Sequence, residues 1–237
     1  MKTSISKTVG TLCLSLLSAV ALCLVSVPVS AQDTLRHEVL METSMGNIRL
    51  ALYNETPLHR DNFIKNVREG VYDGLLFHRV ISSFMIQGGD TASRNAAPGQ
   101  QLGDTEESHS IPAEIRYPQL FHKRGALAAA REGDNVNPER RSSATQFYIV
   151  YGRRFTDEML DKVQERLDGV KGGVTLTPEV REVYRQKGGT PHLDGLYTVF
   201  GEVLEGMDVV REIQWVETDS NNRPVEDVRI IKATVVR

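Results

Sequence analysis

Short strands outnumber helices along this chain of 237 residues, and the pattern predicts a mainly β protein folded as a closed antiparallel barrel. Two observations carry that prediction. Stretches with period-2 alternation, or enriched in β-branched and aromatic residues, recur between turn residues. The helical stretches are few and peripheral, instead of alternating with strands as a βαβ fold requires. Hydrophobic residues at 40% and charged residues at 25% suit a globular chain long enough to bury a core.

Glu38–Thr43 and Asn47–Tyr53 read as strands joined by Ser44-Met45-Gly46. In the second, Ile48, Leu50 and Leu52 alternate with Asn47, Arg49, Ala51 and Tyr53. Thr56-Pro57 supplies an N-cap and a proline at the first helical position; Leu58, Phe63, Ile64 and Val67 then share a face up to the stop at Gly70. Leu75–Asp90 reads as strand–turn–strand, with His78, Arg79 and Gln87 set among apolar residues. Residues 91–117, polar and rich in Gly, Pro, Ser and Gln, read as a long surface loop. Gly125–Ala130 and Thr145–Tyr151 read as strands on either side of a charged loop. Residues 153–190 read as a helical insertion. There Thr156 caps a helix in which Met159, Leu160, Val163 and Leu167 share a face, and Thr177-Pro178 opens a second helix running towards Gly188-Gly189. Simple packing of these helices against the barrel is expected; Met159 and Leu160 in an exposed stripe would instead favour a protein contact. Tyr197–Val203 is a strand, Met207–Gln214 a short helix and Val228–Val236 a last strand.

The first 31 residues read differently. Lys2 and Lys7 precede an uncharged run from Thr8 to Gln32, strongly apolar from Leu12 to Val27 and ending in Pro28-Val29-Ser30-Ala31. This is the pattern of a cleavable secretory signal cut after Ala31, which makes 32–237 the mature domain and predicts a periplasmic or secreted protein. A retained anchor, or lipidation of Cys23, is the alternative. Cleavage removes two lysines, taking the formal charge from −3 to −5, and both cysteines, Cys13 and Cys23, so packing alone must hold the exported domain together.

Composition also excludes classes. An isoelectric point near 6.1 with mixed signs argues against nucleic acid as a partner. The six histidines show no metal-ligand spacing, and no glycine pattern forms a phosphate cradle; neither metal nor cofactor is expected.

The informative segment is Phe77-His78-Arg79-Val80-Ile81-Ser82-Ser83-Phe84-Met85-Ile86-Gln87-Gly88-Gly89-Asp90. By itself it is a core hairpin carrying a cation and an amide. As a string it closely resembles the central motif of the cyclophilin family of peptidyl-prolyl cis/trans isomerases. Gly125-Ala126-Leu127-Ala128 with Ala130, then Ala144-Thr145-Gln146-Phe147-Tyr148-Ile149, then Leu193-Asp194-Gly195-Leu196-Tyr197-Thr198-Val199-Phe200-Gly201-Glu202-Val203, resemble further family segments in the family's order. The resemblance spans roughly residues 39–236, interrupted by the insertion. It implies an eight-stranded barrel closed by two helices and an enzyme whose substrates are Xaa–Pro segments of unfolded or partly folded polypeptides. It assigns Arg79 and Gln87 to catalysis, and Phe84, Met85, Tyr148, Leu193 and Phe200 to the pocket for the proline ring, with barrel core as the other reading, nearly equal to the first for Phe200. Gln146 and Ala130 line the groove for the residues before proline, and His192 and Tyr197 complete the substrate-binding set. His78 is expected to be a structural hydrogen-bonder beneath the site.

The sequence departs from well-known eukaryotic members in three respects, at four positions. His192 stands for a tryptophan and Tyr197 for a histidine; loss of the indole predicts weak cyclosporin binding. Arg131 stands for an asparagine that meets the peptide. Tyr148 stands for phenylalanine and adds a hydroxyl that must find a partner or point to the rim. Prolyl rotation needs neither nucleophile nor metal, which suits a chain offering neither. A proline-peptide-binding module or holdase without turnover is the other reading; the pairing of Arg79 with Gln87 speaks against it, since binding proline needs only an apolar wall. A third reading, a scaffold acting through residues 153–190, predicts that deleting them leaves isomerisation intact.

Overall fold

Alternation along short strands decides the architecture of the residues described by the computed structural model, which are Met1, 36–105 and 109–237. The secretory-signal reading, with Cys13 and Cys23, lies outside the described residues. In chain order the elements are β1 (Glu38–Thr43), β2 (Gly46–Leu52), α1 (Pro57–Arg68), β3 (Arg79–Ile81), β4 (Met85–Gly88), β5 (Ser110–Ile111), β6 (Ala126–Ala129), β7 (Ser142–Ser143), β8 (Phe147–Val150), α2 (Asp157–Asp168), α3 (Pro178–Gln186), β9 (Val199–Glu205), α4 (Met207–Ile213) and β10 (Ile230–Val235). Eight strands form one antiparallel sheet in the order β10-β1-β2-β9-β6-β8-β4-β3, while β5 and β7 pair separately. The protein is thus mainly β, a curled sheet in the form of a half-barrel with four helices. No regular ladder joins the edge strands β3 and β10 among the described residues. The chain before β3 does meet the chain entering β10: Phe77 N–H donates to the Val228 carbonyl at 2.9 Å and Gly74 N–H to that of Ile230 at 2.8 Å.

Each strand divides its side chains between two faces. Val80, Ile86, Leu127, Phe147 and Ile149 point into the main core, with Ile48, Leu50 and Leu52 of β2 and with Phe63, Ile64 and Val67 of α1. Met85, Ala126, Ala128, Tyr148, Val150 and Val199 point the other way, into a second cluster with Phe84, Leu193 and Tyr197 packed against it. Most of the predicted site residues belong to this second face.

Two local expectations for α1 are corrected. Leu58 is exposed, because it lies in the first turn, off the stripe that faces the sheet. Thr56 makes no side-chain cap. The buried Glu114 carboxylate caps instead, accepting from the Leu58 and His59 N–H groups at 3.2 and 3.0 Å and contacting His59 Nδ1 at 2.7 Å. Hence the long loop is not wholly at the surface.

In the insertion both predicted caps form: Thr156 accepts from Met159 N–H and Thr177 from Val180 N–H. The apolar face is packed and not an exposed stripe: Leu160 is fully buried with Leu167, Val180 and Tyr184 in a third cluster, and Met159 is half-buried beside it. The insertion leaves and returns through a neck of glycines. Gly189 N–H donates to the Arg153 carbonyl at 3.0 Å, and a Cβ on Gly152, whose φ is +63°, would lie 2.2 Å from the Gly189 oxygen.

Candidate active site

Strand register assembles the site. Arg79 faces Gln87 across β3 and β4, Gln87 faces Tyr148 across β4 and β8, and Tyr148 faces Ala128 across β8 and β6. These four side chains therefore form one row on the outer face. The turn between β3 and β4 raises Phe84 beside the row. Below it, Gly89 (φ +95°) has no room for a Cβ, which would meet the Thr145 carbonyl at 2.2 Å.

A depression of about 500 Å³ opens over this row. Arg79, Phe84, Met85, Gln87, Ala130, Tyr148, Leu193 and Tyr197 line it together, as does His78. Three predicted site residues lie elsewhere. Phe200 points to the opposite face, 5.4 Å from Phe63 in the main core, because it is the odd residue of a strand whose neighbour Val199 faces outward. Gln146 lines an adjoining depression that shares Gln87 and Ala130 with the first. His192 lines another on the far side of Phe84, with the two rings 5.4 Å apart.

One wall is polar and partly open. Arg79 Nη1 donates to Gln87 Oε1 at 3.1 Å, Gln87 Nε2 to Gln146 Oε1 at 3.1 Å, and Gln146 Nε2 to the Gly103 carbonyl at 3.0 Å. Burial pulls the Arg79 guanidinium below its ordinary pKa, though an arginine stays charged. The remaining Arg79 donors have no partner among the described residues. His78, beneath, is buried with neither ring nitrogen hydrogen-bonded among the described residues, against the structural hydrogen-bonder expected. Burial first, offset in part by Asp90, lowers its pKa to about 4.

The opposite wall is closed. Tyr148, whose hydroxyl needed a partner, is 2.9 Å from His122 Nε2; His122 Nδ1 is 2.9 Å from Asp194 Oδ1, and Tyr184 of α3 donates to Asp194 Oδ2 at 2.7 Å. Asp194 Oδ1 also accepts the His122 backbone N–H. With Nδ1–H given to the carboxylate, Nε2 accepts the Tyr148 proton. Arg131, the second departure, lines both this depression and the adjoining one with its guanidinium already engaged: it donates to the Leu196 carbonyl at 2.9 Å, pairs with Asp134 at 2.7 Å and covers the Tyr197 ring at 4.3 Å.

Sequence reasoning missed Leu102, Gly103 and Asp104, which line the depression from within the long loop. Their anchor is Asp90, whose buried carboxylate accepts from Gly103 N–H at 2.6 Å and from the Thr105 hydroxyl. The carboxylate closing the Gly88-Gly89-Asp90 run was the available signal. The turn Ser220-Asn221-Asn222 completes the rim and carried none.

Among known proteins, the model of the family described as "Cyclophilin type peptidyl-prolyl cis-trans isomerase/CLD" matches residues 38–235. Relatives from Staphylococcus aureus and Staphylococcus epidermidis, each named "Putative peptidyl-prolyl cis-trans isomerase", are 33% identical over 195 residues, covering 81% of this chain and 88% of theirs. Among solved structures, a cyclophilin-type peptidyl-prolyl cis-trans isomerase of Cryptosporidium parvum matches with a TM-score of 0.60 at 20% identity, over 85% of this chain and 98% of that one. The same protein crystallised in the presence of the dipeptide Ala-Pro matches with a TM-score of 0.58.

Proposed function

This chain belongs to the cyclophilin-type peptidyl-prolyl cis-trans isomerase family, and we propose that it rotates Xaa–Pro bonds of exported polypeptides in the depression between Arg79 and Tyr148. The observation that carries the reading is a guanidinium with unused donors facing an apolar wall in which the Tyr148 hydroxyl is already engaged by His122.

Rotation must overcome the amide resonance barrier of roughly 18–20 kcal/mol. In the twisted state the proline nitrogen regains a lone pair and the carbonyl loses polarity. Arg79 supplies a donor to that nitrogen, while Gln87, held in turn by Gln146, fixes the guanidinium and leaves its outer N–H groups to the substrate. A charge-assisted hydrogen bond contributes about 1.5–3 kcal/mol. An acceleration of ~10⁴-fold needs about 5.4 kcal/mol, so the remainder comes from seating the ring on Phe84, Met85, Tyr148 and Leu193 and stripping water from the amide. Residues before the proline lie towards Ala130 and Gln146. The half-buried His192 imidazole, in the neighbouring depression, makes cyclosporin a weak ligand. A barrel closed through the 74–77 and 228–230 segments would keep this outer face rigid.

Magnetisation-exchange NMR on a short Xaa–Pro peptide tests the mechanism. The parent accelerates exchange, and Arg79→Ala slows it by about 10²-fold, the cost of one donor; exchange unaffected by the substitution would remove Arg79 from the mechanism. Export rests on the Lys2-to-Ala31 pattern. Mass spectrometry of the secreted or periplasmic protein is expected to find a chain beginning at Gln32, and an intact Met1 there refutes cleavage.

A further inference from the structure

A second depression of about 550 Å³ adjoins the prolyl pocket, with Phe84 common to both. It exists because of the insertion. Met159, Lys162, Val163 and Arg166 recur at three- and four-residue spacing along one face of α2, opposite the β3–β4 turn, while Leu160 and Leu167 are buried. The floor is apolar, from Phe84, Met159 and Val163, and the rim is cationic, from Arg153, Lys162 and Arg166.

The charge arrangement is unusual for this molecule. The whole chain is formally −3, yet no Asp or Glu lines the depression. Arg153, Lys162 and Arg166 form no ion pair among the described residues, whereas Arg181 and Arg185 on the neighbouring α3 meet Asp161 and Asp157 at 2.6 Å. Three like charges held at one mouth repel each other, and an arriving carboxylate relieves that repulsion.

The three depressions also lie in sequence. The one holding Gln146 meets the prolyl pocket at Gln87 and Ala130; the cationic one meets it across Phe84. We propose that the cationic depression is a subsite for the client chain beyond the proline, taking an apolar residue followed by acidic ones. The inference rests on the prolyl-pocket reading above, which fixes the direction of the peptide.

Fluorescence anisotropy on the full chain tests it with three labelled peptides, Ala-Ala-Pro-Phe followed by Glu-Glu, Gln-Gln or Lys-Lys. At low ionic strength the Glu peptide is expected to bind about five- to tenfold more tightly than the Lys peptide, with the difference shrinking in high salt. The double substitution Lys162→Gln/Arg166→Gln should abolish the preference. Lys162→Glu/Arg166→Glu should invert it, a gain that misfolding cannot produce. Equal affinity of the parent for the Glu and Lys peptides overturns the subsite alone. Exchange on the Gln peptide that survives Arg79→Ala overturns the prolyl pocket, and the subsite with it.

Discussion

The two walls of the proposed prolyl pocket each rest on a buried histidine, and the two histidines are set in opposite ways. Behind the apolar wall, His122 uses its backbone N–H and both ring nitrogens on Asp194 and Tyr148, and Tyr184 completes the carboxylate's shell. Behind the polar wall, His78 has no partner for either nitrogen among the described residues. Low dielectric rewards the first arrangement and penalises the second. In the proposed mechanism the satisfied network is a stiff seat for the proline ring, while the Arg79 wall keeps donors free for the substrate.

The comparison breaks most severely at Asp194. Asp194→Ala strands the His122 N–H, the Nδ1 proton and the Tyr184 hydroxyl in the interior. At about 1–3 kcal/mol for each unmet group, the expected loss is about 4 kcal/mol or more of stability, read as a fall in the urea midpoint with unchanged m. A loss below about 1 kcal/mol would show that water satisfies the network.

His78 sharpens the comparison from the other side. Its folded pKa of about 4 lies below the unfolded value near 6.5, so between those limits only the unfolded chain binds the proton. Stability is therefore lost as pH falls from about 6.5 to about 4, by about 3 kcal/mol in total, and no further loss from this group follows below that. His192, also lowered to about 4 by burial and by Arg166, acts in the same direction. Urea melts at pH 7 and pH 4.5 on the parent and on His78→Gln check the share of His78: the substituted protein should lose about 2 kcal/mol less between the two conditions. Equal losses would mean that the ring is hydrated in the folded protein.

Much of this was legible in the sequence, for identifiable reasons. The hairpin around Arg79 and Gln87 was plain because residues eight apart that pair across a tight turn are a local matter. The strand limits, the Thr-Pro helix start at Thr177 and the cap at Thr156 depend on neighbours within a few positions. Phe200 was misplaced because a segment resemblance does not say which of two alternating faces a residue takes; Val199 claims the outer one. The partner of the Tyr148 hydroxyl could not be read, since His122, Asp194 and Tyr184 are far from it in the chain and meet only when α3 docks. Leu102–Asp104 were hidden for the same reason, their anchor at Asp90 being a tertiary contact.

The glycine neck makes the insertion a graft in geometric terms, its two ends meeting at one point beside the sheet. A segment whose ends meet one hydrogen bond apart can be gained, lost or exchanged in descent without shifting the register of β8 or β9, and closing its loop costs little more whatever its length. The exchange has one constraint, because Tyr184 within the segment donates to Asp194 and so ties α3 to the wall of the depression.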